Sequence, residues 1–251
     1  MKNIITTTIA AGLIAGAATA EVSTTFNLAS AYVFRGVTYN DGPVFQPGIE
    51  AAGLGLPEAY GAVTVGAWGN YDIDDYGGLL DSSEFSEVDW YLSYSLPVFV
   101  EGLDLFAGYT EYTYPNGGTA DKEGNLGAGY ELAGIGLGYT AYFNVGSGGK
   151  DVYNEFTLGY GMDLAEGLAL GLGASAAYVA ADEGDSGFAD GSLSADVSYA
   201  LGEVWSIGAS VTYIAQLDDQ ILVDETLAVD PVDGFGYDVD VVGILSLAAS
   251  F

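Results

Sequence analysis

The last fifteen residues, Tyr237 to Phe251, alternate so strictly that they restrict what the chain can become. Tyr237, Val239, Val241, Gly243, Leu245, Leu247, Ala249 and Phe251 form one set. Asp238, Asp240, Ser246, Ala248 and Ser250 belong to the other. A period of two puts the sets on opposite faces of a strand. In a soluble sheet the apolar face covers a core, whereas in a membrane barrel it meets lipid and the polar face lines the interior.

The pattern recurs. Trp205, Ile207, Ala209, Val211 and Tyr213 oppose Ser206, Gly208, Ser210 and Thr212, while Leu193, Ala195, Val197, Tyr199 and Leu201 oppose Ser194, Asp196, Ser198 and Ala200. Ile135, Leu137, Tyr139, Ala141 and Phe143 repeat it. Trp205 and Tyr213 stand about 26 Å apart along a strand, or about 19 Å along a membrane normal at the usual tilt, which suits rings near opposite interfaces.

Alternating segments are expected near 22–37, 43–55, 60–71, 85–97, 102–114, 123–133, 134–145, 150–164, 166–181, 188–201, 203–216 and 235–251. Most reach the roughly 9 to 11 residues that a tilted strand needs to cross a bilayer. Connections are short at Gly55–Tyr60, Leu132–Ile135, Asp163–Gly167 and Leu201–Val204. They are longer and acidic at Asp72–Glu84, Pro115–Glu123, Ala181–Gly187 and Leu217–Gly234. Tight periplasmic turns and longer outer loops alternate in this way in outer-membrane barrels; Val145–Lys150 is short for an outer loop. The expected fold is all-β, a transmembrane up-and-down antiparallel barrel of about twelve strands.

The amino terminus reads as a secretory signal. Lys2 precedes the apolar stretch Ile4–Ala18, and Ala18-Thr19-Ala20 supplies small residues for cleavage. Residues 1–20 are expected to be removed, leaving 21–251 as the barrel in a bacterial outer membrane. Nineteen tyrosines and 38 glycines suit strands with interfacial aromatic belts. Thirty-five acidic residues against four basic ones give a net charge of −31, which disfavours nucleic acid and anionic solutes.

Without histidine or cysteine, the catalytic Ser-His-Asp and Cys-His arrangements and histidine metal triads have no members. A paired-carboxylate hydrolase needs only acids, but no spacing singles out a pair. The chain is therefore not expected to be an enzyme. Gly136, Gly138 and Ala141 match a dinucleotide fingerprint in spacing, yet they lie inside an alternating strand where no helix N-terminus can meet a phosphate.

Two sets of candidate residues remain. Arg35 is the one arginine, and its parity, opposite to Phe26, Leu28, Tyr32 and Phe34, sends it to the lumen. Glu50, Asp89, Glu131, Glu155, Asp196, Asp238 and Asp240 share that inner face by the same argument. Arg35 serves either a charged constriction that selects solutes or a structural ion pair, with Glu50 on the adjacent strand as the expected partner. Asp72, Asp74 and Asp75, and separately Asp218, Asp219, Asp224 and Glu225, could hold loosely bound Ca²⁺ or Mg²⁺, or be solvated loop acids. An EF-hand does not fit, because Tyr76 replaces an oxygen ligand and Glu84 falls one place late.

The stretch Glu21-Val22-Ser23-Thr24-Thr25-Phe26-Asn27-Leu28-Ala29-Ser30-Ala31-Tyr32-Val33-Phe34-Arg35-Gly36-Val37-Thr38, followed by Gln46-Pro47-Gly48-Ile49-Glu50, resembles the opening of the TorF-type porin family of proteobacteria. Ala31–Gly36 is its most specific part, and Tyr39-Asn40 departs from the polar pair usual there. The likeness implies an outer-membrane barrel of about this size and supplies no site residues. Phe251 is similar to the ending that many such barrels present to their assembly machinery.

The expected function is passive diffusion of small solutes through a narrow lumen favouring cations or neutral molecules. The alternative is a closed scaffold whose acidic loops bind divalent cations bridging lipopolysaccharide. The expected partners are outer-membrane lipid and lipopolysaccharide, the assembly machinery and small solutes.

Overall fold

The computed structural model describes residues 21–54, 58–76, 83–218, 221–222 and 239–251. Twelve antiparallel strands close into one barrel: β1 (Glu21–Ala29), β4 (Val44–Ala52), β5 (Ala62–Asp72), β6 (Glu84–Ser95), β7 (Leu103–Thr113), β8 (Asp121–Leu132), β9 (Ile135–Asn144), β10 (Val152–Ala165), β11 (Leu168–Ala180), β12 (Gly187–Leu201), β13 (Trp205–Gln216) and β14 (Val241–Ser250). Each wall strand pairs with its sequence neighbour, and β1 closes the ring on β14 with Ser23 opposite Ser250 and Ala29 opposite Ile244. The twelve-stranded meander expected from the alternation is the observed fold.

Register decides which residues face inward. Asp196 lies opposite Gly171 and Ser210, and Asp89 opposite Trp68 and Tyr112. Buried side chains on this face are largely polar, including Gln46, Asn70, Glu87, Asp89, Asp190 and Asp196. The opposite face leaves Leu193 62 % and Leu245 61 % exposed, with Leu92, Leu126, Leu172 and Val211 alongside. A face this apolar around a closed ring is stable only against hydrocarbon, which makes the barrel membrane-spanning. The inner tyrosines also explain some of the glycine. A Cβ added at Gly66 would fall 2.2 Å from the Tyr91 ring, so the ring lies flat over bare backbone on the neighbouring strand.

The first expected segment, 22–37, does not form one strand. β1 ends at Ala29, and the chain turns into the lumen as a small hairpin of β2 (Tyr32–Phe34) and β3 (Val37–Asn40). Tyr32 and Phe34, expected on the lipid face with Phe26 and Leu28, are therefore inside the barrel. The turn residues Arg35 and Gly36 have φ of 52° and 78°, both left-handed. A two-residue hairpin of this hand favours Asn-Gly, and a side chain such as arginine is strained there. Gly36 is required by space as well, since a Cβ would meet that of Asp190 at 2.8 Å.

The hairpin makes the one buried apolar cluster among the described residues. Tyr32 packs with Ala29, Ala31, Val44 and Val242, and Trp68, Ile214 and Ile244 border them. One side of the lumen is thus filled, and the side walled by β7 to β12 keeps its polar lining.

The outward face sets a test of depth. Val211→Arg, near the middle of β13, is expected to lower folding stability in lipid vesicles by about 2–4 kcal/mol, and Val241→Arg at the strand end by about 0–1 kcal/mol. Equilibrium denaturant titration of the vesicle-inserted protein measures both, and equal losses would contradict the assigned face.

Candidate functional site

The strained turn carries Arg35 to the inner surface of β8, where its guanidinium meets Glu123 with both nitrogens at 2.8 Å. This fork-to-fork pairing uses the planar geometry that lysine lacks. Three ring centroids surround the same guanidinium: Tyr153 at 4.4 Å, Tyr142 at 4.7 Å and Phe34 at 4.8 Å. Tyr112 donates its hydroxyl to Glu123 Oε2 at 2.8 Å, and Tyr153 donates to Asp190 Oδ2 at 2.7 Å. The cation is held by one carboxylate and a set of π faces in a part-buried setting, where such contacts are stronger than at an open surface.

Glu50 is not the partner of Arg35. It accepts from the Tyr91 hydroxyl at 3.0 Å, on the wall beside β1, whereas the inward turn delivers Arg35 across the lumen to β8. Residues 22–37 do not continue as wall beyond Ala29, so strand adjacency does not bring Glu50 to Arg35.

The hairpin is tied on several sides. Tyr32 donates to Glu87 Oε2 at 2.7 Å, and Asn40 donates to Asp72 Oδ1 at 2.7 Å. Gln216 donates to the Gly36 carbonyl at 2.9 Å, and the Val239 amide donates to Thr38 Oγ1 at 3.2 Å.

Of the other inner acids, Asp89 and Asp196 are buried and Glu155 and Glu50 are half-buried, while Glu131 and Asp240 are exposed. Asp89 keeps one buried oxygen without a hydrogen-bond partner. Asp238 lies outside the described residues. Asp72 is 2 % exposed and accepts from the Asn40 and Asn70 amides, and Asp74 accepts from the Asp75 amide. Among the described residues no group of three or more carboxylates is arranged to hold a metal ion. Asp218 is at the edge of its described stretch, and Asp219, Asp224 and Glu225 lie outside it.

Glu123, Tyr142, Tyr153, Tyr112, Glu87 and Asp190 were not anticipated. Parity contained the signal for five of them: Glu123 shares the face of Glu131 on β8, Tyr142 opposes the Phe143 face on β9, and Glu87, Tyr153 and Asp190 share the faces of Asp89, Glu155 and Asp196 on β6, β10 and β12. Nothing in the sequence brings Arg35 to them without the inward turn.

Two cavities flank the pair. One, of about 290 Å³, is lined by Arg35, Glu123, Tyr142, Asn144, Asp151 and Tyr153. The other, of about 200 Å³, is bounded by Tyr32, Phe34, Glu87, Tyr112 and again Arg35 and Glu123. The ion pair is the partition between them.

A closed barrel with an apolar exterior, a polar interior and an infolded segment defines the class of outer-membrane-type β-barrels. Within it, the chain is similar in fold to an outer membrane channel from Pseudomonas putida F1, with a TM-score of 0.57 and 10% identity over 92% of this chain and 95% of that one. It is also similar to the NanC porin, at 0.51 and 8% over 93% and 99%, and to the KdgM porin in complex with disordered oligogalacturonate, at 0.50 and 9% over 92% and 99%. No family model matches the chain, and no curated protein matches it.

Neutralising Glu123 tests how far the pair holds the hairpin. With no native cysteine, Val37→Cys on β3 reports hairpin exposure by its reaction with a thiol reagent. Adding Glu123→Gln is expected to speed that reaction roughly five- to thirty-fold, the factor for a loss of about 1–2 kcal/mol. An unchanged rate would show that the other ties suffice.

Proposed function

We propose that this chain is a bacterial outer-membrane channel for passive diffusion of small solutes, with a narrow lumen that favours cations and neutral molecules over anions. Residues 1–20 would serve as a cleaved export signal, and membership of the TorF-type porins is part of the same reading. The observation that carries it is the pair of polar cavities meeting at Arg35–Glu123 inside a wall whose outer face suits lipid.

The selectivity follows from charge. Arg35 is neutralised by Glu123, which leaves Glu87, Glu155, Asp190 and Asp196 to set the sign of the potential in a low-dielectric shell. An acidic oligosaccharide such as the one in the KdgM complex therefore gains no support here. The reading is non-enzymatic, in keeping with a chain that has no histidine or cysteine.

Both termini would face the periplasm, with the Phe251 end engaging the assembly machinery. The outward pair Lys122–Glu111, 3.5 Å apart near the opposite rim, would sit at the lipopolysaccharide headgroups. The filled half of the lumen favours one second reading, a closed scaffold whose acidic loops take divalent cations.

In planar bilayers under a KCl gradient, the reversal potential is expected on the potassium side of zero. The preference should weaken from 0.1 M to 1 M salt as the Debye length shrinks from about 10 Å to about 3 Å. Silence would support the scaffold, and anion preference would overturn the charge argument.

A further inference from the structure

The surroundings of Arg35 are more than a partner for one loop. Tyr112, Glu123, Tyr142 and Tyr153 come from four consecutive wall strands, β7 to β10. Each of them also has a contact that does not involve the arginine. Tyr112 holds Glu123 through its hydroxyl, Tyr153 is held by Asp190 on β12, and the Tyr142 and Tyr153 rings lean on each other at 6.1 Å. The wall thus presents an anchored carboxylate below and π faces on the sides, a shape that selects a flat or small organic cation. The hairpin supplies the cation, and it does so from a left-handed backbone position that favours asparagine and disfavours arginine. Strain at that point makes sense when the side chain must reach a site that already exists. The cavities on either side give a free cation access to both edges of the cage.

We infer that Glu123, Tyr112, Tyr142 and Tyr153 form a binding site for guanidinium-type and small alkylammonium cations, and that Arg35 is its tethered occupant. The inference deepens the channel reading and rests on it for its role in passage. A permeating organic cation and Arg35 compete for one carboxylate and one set of rings. When the solute wins, the two nitrogens of Arg35 leave Glu123 and the partition between the cavities opens. When it loses, the tethered side chain, at an effective concentration on the order of millimolar or more, closes the path again. Inorganic cations gain the carboxylate but little from the rings, so the site ranks organic cations above sodium of equal charge.

The experiment uses the mature barrel in planar bilayers and in detergent, with Arg35→Ala emptying the cage and Arg35→Gln as a second emptying variant if the first folds poorly. Heat-modifiable gel migration verifies folding of each. The probe is methylguanidinium, with urea as its neutral counterpart in shape and sodium as the inorganic control. Arg35→Ala is expected to conduct more than the parent and to be blocked saturably by methylguanidinium at a concentration at least tenfold lower than the parent requires. Urea should not block, and adding Glu123→Gln should abolish the effect. Calorimetric titration of methylguanidinium into the detergent-solubilised variant reads the same site without current. If all proteins are electrically silent, the channel reading fails, and saturable calorimetric binding still upholds the cage. If the emptied protein conducts but binds methylguanidinium no better than the parent, or no better than urea, the cage assignment is overturned and the channel stands.

Discussion

Backbone hydrogen bonding in an apolar medium is the constraint from which the rest of this structure follows. Hydrocarbon offers no partner to an exposed amide or carbonyl, so a sheet in lipid survives only without edges. Pairing of β1 with β14 removes the last two edges, and every wall strand then has a partner on both sides. Closure fixes the assignment of faces. Once the ring is shut, every strand has one side toward tails and one toward the enclosed space, and the strict two-residue alternation is the only pattern that satisfies both.

Closure also creates a problem that the inner hairpin addresses. A ring of twelve strands lies between sizes that side chains fill and sizes that hold a water column. Here the interior divides: apolar packing around Tyr32 and Val242 fills one side, and a polar, tyrosine-rich region with two cavities occupies the other. The dividing element is a cation on a strained turn, set into a lumen of carboxylates. Burying a lone guanidinium is unfavourable unless every face of it finds a partner. Glu123 and three rings provide that coverage.

The barrel was legible because it depends on local periodicity. Residues 193–201 and 205–213 declare their faces two at a time, and no long-range information is needed to count strands. The site was less legible, and Ala29–Asn40 shows why. Phe26, Leu28, Tyr32 and Phe34 share a parity, so the pattern reads straight through Ser30, where the backbone leaves the wall. Tyr32 and Phe34 are apolar because they pack on the hairpin side of the lumen, a role that has the same composition as facing lipid. From that one misplacement came the choice of Glu50 for Arg35. The inner acids fared better: Asp89 and Asp196 sit in regular stretches of β6 and β12, clear of the bulge that each strand carries nearer its start, and both lie on the face that their parity indicates.

The ties of the hairpin span the whole polypeptide. Gly36 is bonded by Gln216, 180 residues away, and Thr38 by Val239, 201 residues away. A segment near the start of the chain therefore lies enclosed by strands that follow it, and two of its anchors come from near the end. Such distant contacts are slow to form, because the entropy of looping the chain precedes any reward. The wall must consequently be wound around its own filling, and the step that zips the final seam is also the step that seats the stopper.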